Sequence, residues 1–274
     1  MVRSGSTWSF NIVKQLLLRT GSALRSGYSD AIGDALLRHG EAERHVVIKS
    51  HWPDKLGRAL IKQGACRTIY TYREPLEAIL SLYALDAAAG NRLERPARLV
   101  KASLDLMRFQ VEAGGVRFVW YGDIVERSRD VVQAIADYLG LALEPQAISD
   151  VADALNRDNV RRIIKQLGKS AQQLRVGDSD WDGGTLFNSN HVRDNPADPA
   201  SVFSAAQVAE VVAALGDYVD TDAVLRPAIR AIGALDGATL HEWPPIAPPE
   251  APAAEAEASA AEPVAAEAAG EPPE

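Results

Sequence analysis

Met1-Val2-Arg3-Ser4-Gly5-Ser6-Thr7-Trp8 opens the chain, and the reading of every later motif depends on this stretch. Small residues bracket Gly5, the hydroxyls of Ser4, Ser6 and Thr7 stand beside it, and the cation Arg3 leads in. Apolar Trp8, Ile12, Val13, Leu16 and Leu17 follow at helical spacing, which predicts a helix over 8–20 that runs out at Gly21. A loop of this kind turns successive backbone N–H groups outward at the positive end of a helix dipole and can seat a phosphate or sulfate. It lacks the Gly-x-x-x-x-Gly-Lys-Ser/Thr spacing of a Walker A loop. A Ser/Thr-rich helix start is also an ordinary capping device, so the stretch alone leaves both readings open.

Working outward, residues 21–44 read as loop and short helix without clear meaning. His45-Val46-Val47-Ile48 reads as a short buried strand with Lys49, Ser50 and His51 at its carboxyl end. Cys66 to Tyr72 reads as a second strand ending at Arg73; Pro75 then suits a first helical turn, and Leu76, Ile79, Leu80 and Tyr83 form a core stripe. Ser81 falls off that stripe, on the face of Glu77. A helix over 91–113, a strand over Val116–Tyr121 closed by Gly122-Asp123, and a helix over 128–139 closed by Gly140 complete the alternation. Strands alternating with helices predict a three-layer α/β fold, a central parallel sheet with helices on both faces. In such sheets ligands collect at the carboxyl ends of strands, where Arg3, His51, Arg73 and Tyr121 all fall.

Further on, 157–175 is basic and partly helical in pattern, and 176–203 is long and rich in Gly, Asp and Asn, as a substrate-covering loop would be. Ser204 to Gln207 is a capping box opening a helix that faces Val208, Val211, Val212 and Leu215 inward. Residues 245–274 are rich in Pro, Ala and Glu and lack aromatics, which predicts a disordered tail behind a body of residues 1–244.

An apolar content of 47% over 274 residues supports a core for one large α/β domain. The tail holds seven Glu and no Lys or Arg, so taking those charges from the net −8 leaves the body near −1. A near-neutral body argues against nucleic-acid binding, which wants a basic face. No apolar run reaches membrane-spanning length and no charged-then-apolar leader opens the chain, so the expectation is a cytoplasmic protein without membrane contact. The single Cys66 excludes an internal disulfide framework and a cysteine zinc site, and its apolar surroundings predict a buried filler.

The opening loop, Lys49-Ser50-His51-Trp52-Pro53, and Arg73-Glu74-Pro75 with Ser81 together resemble, in order and spacing, the sulfotransferase family, which takes a sulfuryl group from PAPS (3′-phosphoadenosine 5′-phosphosulfate). The resemblance covers most of residues 1–220. It implies a P-loop-like fold, PAPS as co-substrate with no metal, and a hydroxyl or amine of a small-molecule or glycan acceptor. By that resemblance His51 is the general base, an apt choice because its ordinary pKa lies near working pH. Lys49 lies near the moving sulfate or the attacking oxygen, and Arg3 stands where many members carry Lys. Arg binds sulfate as a fork and does not deprotonate, which suits charge stabilisation. Ser4, Gly5, Ser6 and Thr7 seat the 5′-side of the donor, and Arg73 with Ser81 matches the pair that holds its 3′-phosphate. Trp8 either stacks on adenine or belongs to the core. Tyr121-Gly122-Asp123 resembles a Tyr-Glu-Asp at a strand end, with the middle carboxylate missing. Arg193 is the preferred late residue closing on the 3′-phosphate, with Arg175 the other candidate.

Two rivals compete with this reading. A nucleoside or sugar kinase lacks its Walker lysine and a strand-end Asp for Mg²⁺ here. A non-catalytic nucleotide-binding protein draws support from the amino terminus, since a phosphate loop normally follows a central strand and Met1-Val2 cannot make one. The expectation is a start further upstream, or a fold with one strand position unfilled and its neighbours' edges open to self-association.

Overall fold

The structure, a computed structural model, describes residues 1–39, 45–84, 93–167, 173–176, 179–188, 192 and 199–218. It begins with helix α1 (Ser6–Arg19), then strand β1 (Leu24–Tyr28), α2 (Ile32–His39), β2 (His45–Lys49), α3 (Lys55–Lys62) and β3 (Thr68–Tyr72). There follow α4 (Pro75–Tyr83), α5 (Glu94–Ala113), β4 (Val116–Trp120), α6 (Tyr121–Glu126), α7 (Ser128–Leu139), α8 (Pro145–Ala154) and α9 (Arg157–Gln166). A short antiparallel hairpin, β5 (Gln173–Val176) with β6 (Ser179–Asp182), precedes α10 (Pro199–Val202) and α11 (Ala205–Leu215).

The architecture is α/β with parallel pairing, as expected. β1 pairs with β2 in the register Leu24↔His45 to Tyr28↔Lys49, and β3 pairs with β4 in the register Thr68↔Val116 to Tyr72↔Trp120. Among the described residues no ladder joins β2 to β3, so the parallel strands form two separate pairs. Helix α1 packs against β1, β2 and β3 and so spans the division.

Alternation along the strands makes three layers. Tyr70, Tyr72, Val116 and Phe118 join one core with Leu76, Ile79, Val100, Leu104, Met107, Val211 and Leu215, so α4, α5 and α11 cover that face. Val119 turns the other way, into a second core with Trp8, Ile12, Leu16, Val132, Ile135, Ile148 and Phe187 from α1, α7, α8 and the segment after β6. Core side chains such as Ile12, Leu16, Ile79, Val100 and Ile135 are fully buried. Each such aliphatic side chain contributes about 1.5–3 kcal/mol relative to exposure.

Local signals explain most helix ends. Glu74 caps α4 by accepting from Leu76 N and Glu77 N, with Pro75 in the first turn. Ser204 and Gln207 exchange the reciprocal bonds of a capping box at α11.

Three expectations are corrected. Residues 24–28, in a stretch read as loop and short helix, hold strand β1, while the short helix of that stretch is α2. β3 starts at Thr68, leaving Cys66 exposed rather than buried, because it lies in the turn ahead of the strand. β4 ends at Trp120, and Tyr121 opens α6 instead of closing the strand. The stretch 176–203, expected as a covering loop, holds β6 and α10, and the turn after β6 is anchored: Asn11 Nδ2 donates to Thr185 O at 2.7 Å, Lys14 Nζ to Gly184 O, and Phe187 is buried. Residues 219–274, including the Pro/Ala/Glu tail, lie outside the described residues. No helix among the described residues is long and apolar enough to cross a membrane.

Candidate functional site

The loop Arg3–Gly5 and the first turn of α1 together touch both strand pairs. Arg3 (φ 59°) and Gly5 (φ 88°) both adopt left-handed backbone, an alternation that turns successive N–H groups to one side. Gly5 is favoured by its φ, which disfavours a side chain, and a Cβ there would lie 2.8 Å from Ile124 Cδ1, so that methyl end would have to shift. At the first turn of α1 no side chain caps the helix and no acidic residue is present. Such an end favours an anion.

Two grips hold this loop. On the β3 side, the fully buried Ser4 Oγ lies 2.8 Å from both Thr71 O and Thr71 Oγ1 and 2.6 Å from Met1 O. Ser4 therefore uses its hydroxyl inside the fold, and any contribution to an anion comes from its backbone N–H. On the β2 side, Lys49 Nζ donates to Thr7 Oγ1 at 2.6 Å. Lys49 is only 7% exposed, and burial, with Arg3 as neighbouring cation, lowers its pKa to about 8.

Arg3 Nε donates to Ser81 Oγ at 3.0 Å, which ties the start of the loop to a part-buried face of α4. The structure thus brings together two residues that the sequence placed 78 positions apart. Arg73 lies on the same helix start: its Nε donates to Glu77 Oε2 at 2.7 Å, and its guanidinium sits 4.3 Å from the Tyr121 ring centroid. Tyr121 also lines Gly5, whose added Cβ would stand 3.5 Å from Tyr121 Cδ2. Opening α6, rather than ending β4, puts this ring between the loop and Arg73. The absent carboxylate at Gly122 has a steric reason, since a Cβ there would lie 2.5 Å from Trp120 Nε1.

His51 is half-buried just past β2. Burial, then the charge of Lys49, lowers its pKa to about 3, so the imidazole is neutral at ordinary pH. Its backbone N donates to Asp30 Oδ1 at 2.9 Å, and its ring lies 5.7 Å from that of Tyr28.

Trp8 goes to the core, one of the two places left open for it. It is 8% exposed, and its Nε1 donates to Leu155 O at 2.8 Å. Arg193 lies outside the described residues, and for Arg175 the backbone in β5 is described and the side chain is not. Asp30 is the residue that sequence reasoning missed. Its only signal was Tyr28-x-Asp30 inside a stretch not recognised as a strand end.

Arg3, Lys49 and Arg73, together with an uncapped helix start, suit a multiply charged anion, and the neutral imidazole of His51 lies near enough to Lys49 to feel its charge. A sequence model of the sulfotransferase domain matches residues 1–175. Among solved structures, the crystal structure of mouse sulfotransferase SULT7A1 complexed with PAP is similar at a TM-score of 0.51 and 13% identity, covering 77% of this chain and 79% of that one. That likeness is one of fold, the P-loop-like α/β arrangement. No curated protein matches the chain.

Proposed function

The chain belongs to the sulfotransferase family, whose enzymes use PAPS, and from that premise we propose that it sulfates a hydroxyl or amine of a small-molecule or glycan acceptor with His51 as general base. The observation that supports this best is the meeting of Lys49 with Thr7 in the first turn of α1, next to the loop where Arg3 meets Ser81 and Gly5 faces the Tyr121 ring that Arg73 covers. This donor set fits PAPS: backbone N–H groups and cations for its anionic 5′-side, and Arg73 for a second, separate phosphate. When bound, PAPS supplies a sulfuryl group whose bond to the 5′-phosphate breaks as one to the acceptor oxygen or nitrogen forms.

The residues act by position and charge. His51 takes the acceptor proton on a ring nitrogen. In the free protein its basicity is suppressed by burial and by Lys49; an anion beside Lys49 offsets the second of these and raises the imidazole toward a working base. Lys49 and Arg3 stabilise the negative charge that develops on the transferred and leaving oxygens. Arg73 and Ser81 hold the 3′-phosphate, Tyr121 flanks the adenine side, and Arg193 supplies a late closing cation. The catalytic body is residues 1–244, with 245–274 an appended tail.

A thermal-shift comparison with no acceptor present tests the reading. PAP, the desulfated donor, is expected to raise the melting temperature well above what ADP does, without Mg²⁺. A ligand present at about a hundred times its Kd adds roughly 2.7 kcal/mol to the folded state. Preference for ATP with Mg²⁺ would favour a kinase instead, and indifference to every nucleotide a non-catalytic protein. Conversion of PAPS to PAP dependent on an added phenol, primary alcohol or amino sugar then identifies the acceptor class.

A further inference from the structure

The register Tyr28↔Lys49 sets the carboxyl ends of β1 and β2 level, and Ser29 N donating to Lys49 O at 3.0 Å extends the pairing one step beyond. The segments 29–30 and 50–52 therefore leave the sheet side by side, and Asp30 closes the space between them. Its Oδ1 accepts from Ser50 Oγ at 2.8 Å, from His51 N at 2.9 Å and from Trp52 N at 2.9 Å. Its Oδ2 accepts from Tyr28 Oη at 2.7 Å, and its backbone carbonyl from Asp54 N at 2.9 Å. The Tyr28 ring, held by that bond, lies against the imidazole at 5.7 Å and 54°.

We infer that Asp30 is the positioning residue of the His51 base: its carboxylate fixes the backbone of residues 50–52 and, through Tyr28, one flank of the imidazole. The inference rests on the reading of His51 given above. Past the end of β2 the N–H groups of His51 and Trp52 have no ladder partner, and a carboxylate is a strong acceptor for such groups. Burial alone would raise the Asp30 carboxyl, but the donors from Trp52, Tyr28, Ser50 and His51 outweigh it and hold the group below its usual range. Asp30 therefore stays ionised where the enzyme works. Tyr28, pushed upward by burial and by Asp30, stays a protonated donor. Asp30 touches no reacting atom. It acts by restricting where the base can be, and a displacement of about 1 Å at a reacting group is worth about a hundredfold in rate.

The test combines turnover with an acceptor-free measurement. With PAPS and a panel of a phenol, a primary alcohol and an amino sugar, Asp30→Ala is expected to lower kcat roughly a hundredfold while KM for PAPS and the affinity for PAP hold within about twofold. Asp30→Asn, whose amide oxygen still accepts from backbone N–H groups, is expected to recover most of that loss. The Asp30→Ala/His51→Ala double variant should be no slower than His51→Ala alone, because both act through one group. Independently of any acceptor, amide exchange at His51 and Trp52 should speed up about tenfold or more in Asp30→Ala and much less in Asp30→Asn. Unchanged exchange at both amides overturns the proposal, as does a double variant whose losses simply multiply. Full turnover in His51→Ala would instead overturn the parent reading of the base. Should Asp30→Ala fail to fold, a Ser50→Ala/Tyr28→Phe variant removes two of the four donors, and exchange at His51 and Trp52 still reports on the carboxylate.

Discussion

Lys49 Nζ and Thr7 Oγ1 stand 2.6 Å apart, a buried contact between the end of β2 and the first turn of α1. The contact holds a cation beside a helix start that already favours negative charge, at the cost of keeping an ammonium out of water. That cost lowers the Lys49 pKa to about 8, and it sets a pH dependence. Lys49 is protonated below that value and neutral above it, so kcat/KM, which reports the free enzyme, is expected to fall as pH rises through about 8. His51 is already neutral above about 3, so no acidic limb should appear near the ordinary histidine value. An acidic limb centred near 6.5 would show that burial and Lys49 do not depress the imidazole as described.

Arg73→Ala should erase most of the preference for PAP over ADP in thermal shift and leave the small ADP response unchanged. The guanidinium is oriented by Glu77 and the Tyr121 ring, and on the proposed reading its removal deletes a charge-assisted contact to the 3′-phosphate worth about 1.5–3 kcal/mol. Equal loss for both nucleotides would place Arg73 on the 5′-side instead.

Gly5→Ala and Gly21→Ala make a matched pair. Both glycines have positive φ, 88° and 76°, but an added Cβ meets Ile124 Cδ1 at 2.8 Å in the first case and nothing within 4 Å in the second. The backbone effect alone is about 1–2 kcal/mol. Gly5→Ala should lower the melting temperature further than Gly21→Ala and alone should weaken PAP binding. Indistinguishable effects from the two substitutions would count against the crowding at Ile124.

Glu74 is pushed up to about 7, chiefly by burial, with the N–H groups of Glu77 and Leu76 opposing that rise. From its ordinary 4.5 to about 7 the unfolded chain loses this proton while the folded one keeps it. This group's share of stability is therefore full at acidic pH and declines as pH rises through that window. Glu74→Gln should flatten that part of the stability profile in urea titrations at pH 4.5, 6 and 7.5, taken at intervals of about 1.5 units. A slope unchanged by the substitution would assign it to other groups.

The sequence made some elements legible and hid others for physical reasons. β2, β3 and β4 announce themselves because apolar or β-branched runs end at a charged or polar residue, and those ends carry Lys49, Arg73 and the turn to Tyr121. β1 does not: Leu24-Arg25-Ser26-Gly27-Tyr28 pairs on one side with β2 and stays partly exposed, so it needs no apolar run. Missing β1 meant missing Asp30, since a carboxylate in an unassigned loop has no visible partner. Cys66 was misplaced because two residues of strand boundary decide whether its side chain faces the core. Trp8 shows the opposite limit: helical spacing identified it as apolar, and only packing against Leu155 decided what it faces.

The division between the two strand pairs has a consequence for how the molecule opens. Among the described residues the β1–β2 and β3–β4 ladders share no hydrogen bond, and they are bridged by packing, from α1 with its leading loop and from α3 against α5. Lys49 and His51 ride on one half, Arg73 and Ser81 on the other. Excursions that part the halves would pull the two ends of the candidate site away from each other before either ladder melts. An anion gripped from both sides would then work as a cross-brace, so the affinity of the site and the rigidity of the whole sheet would rise and fall together.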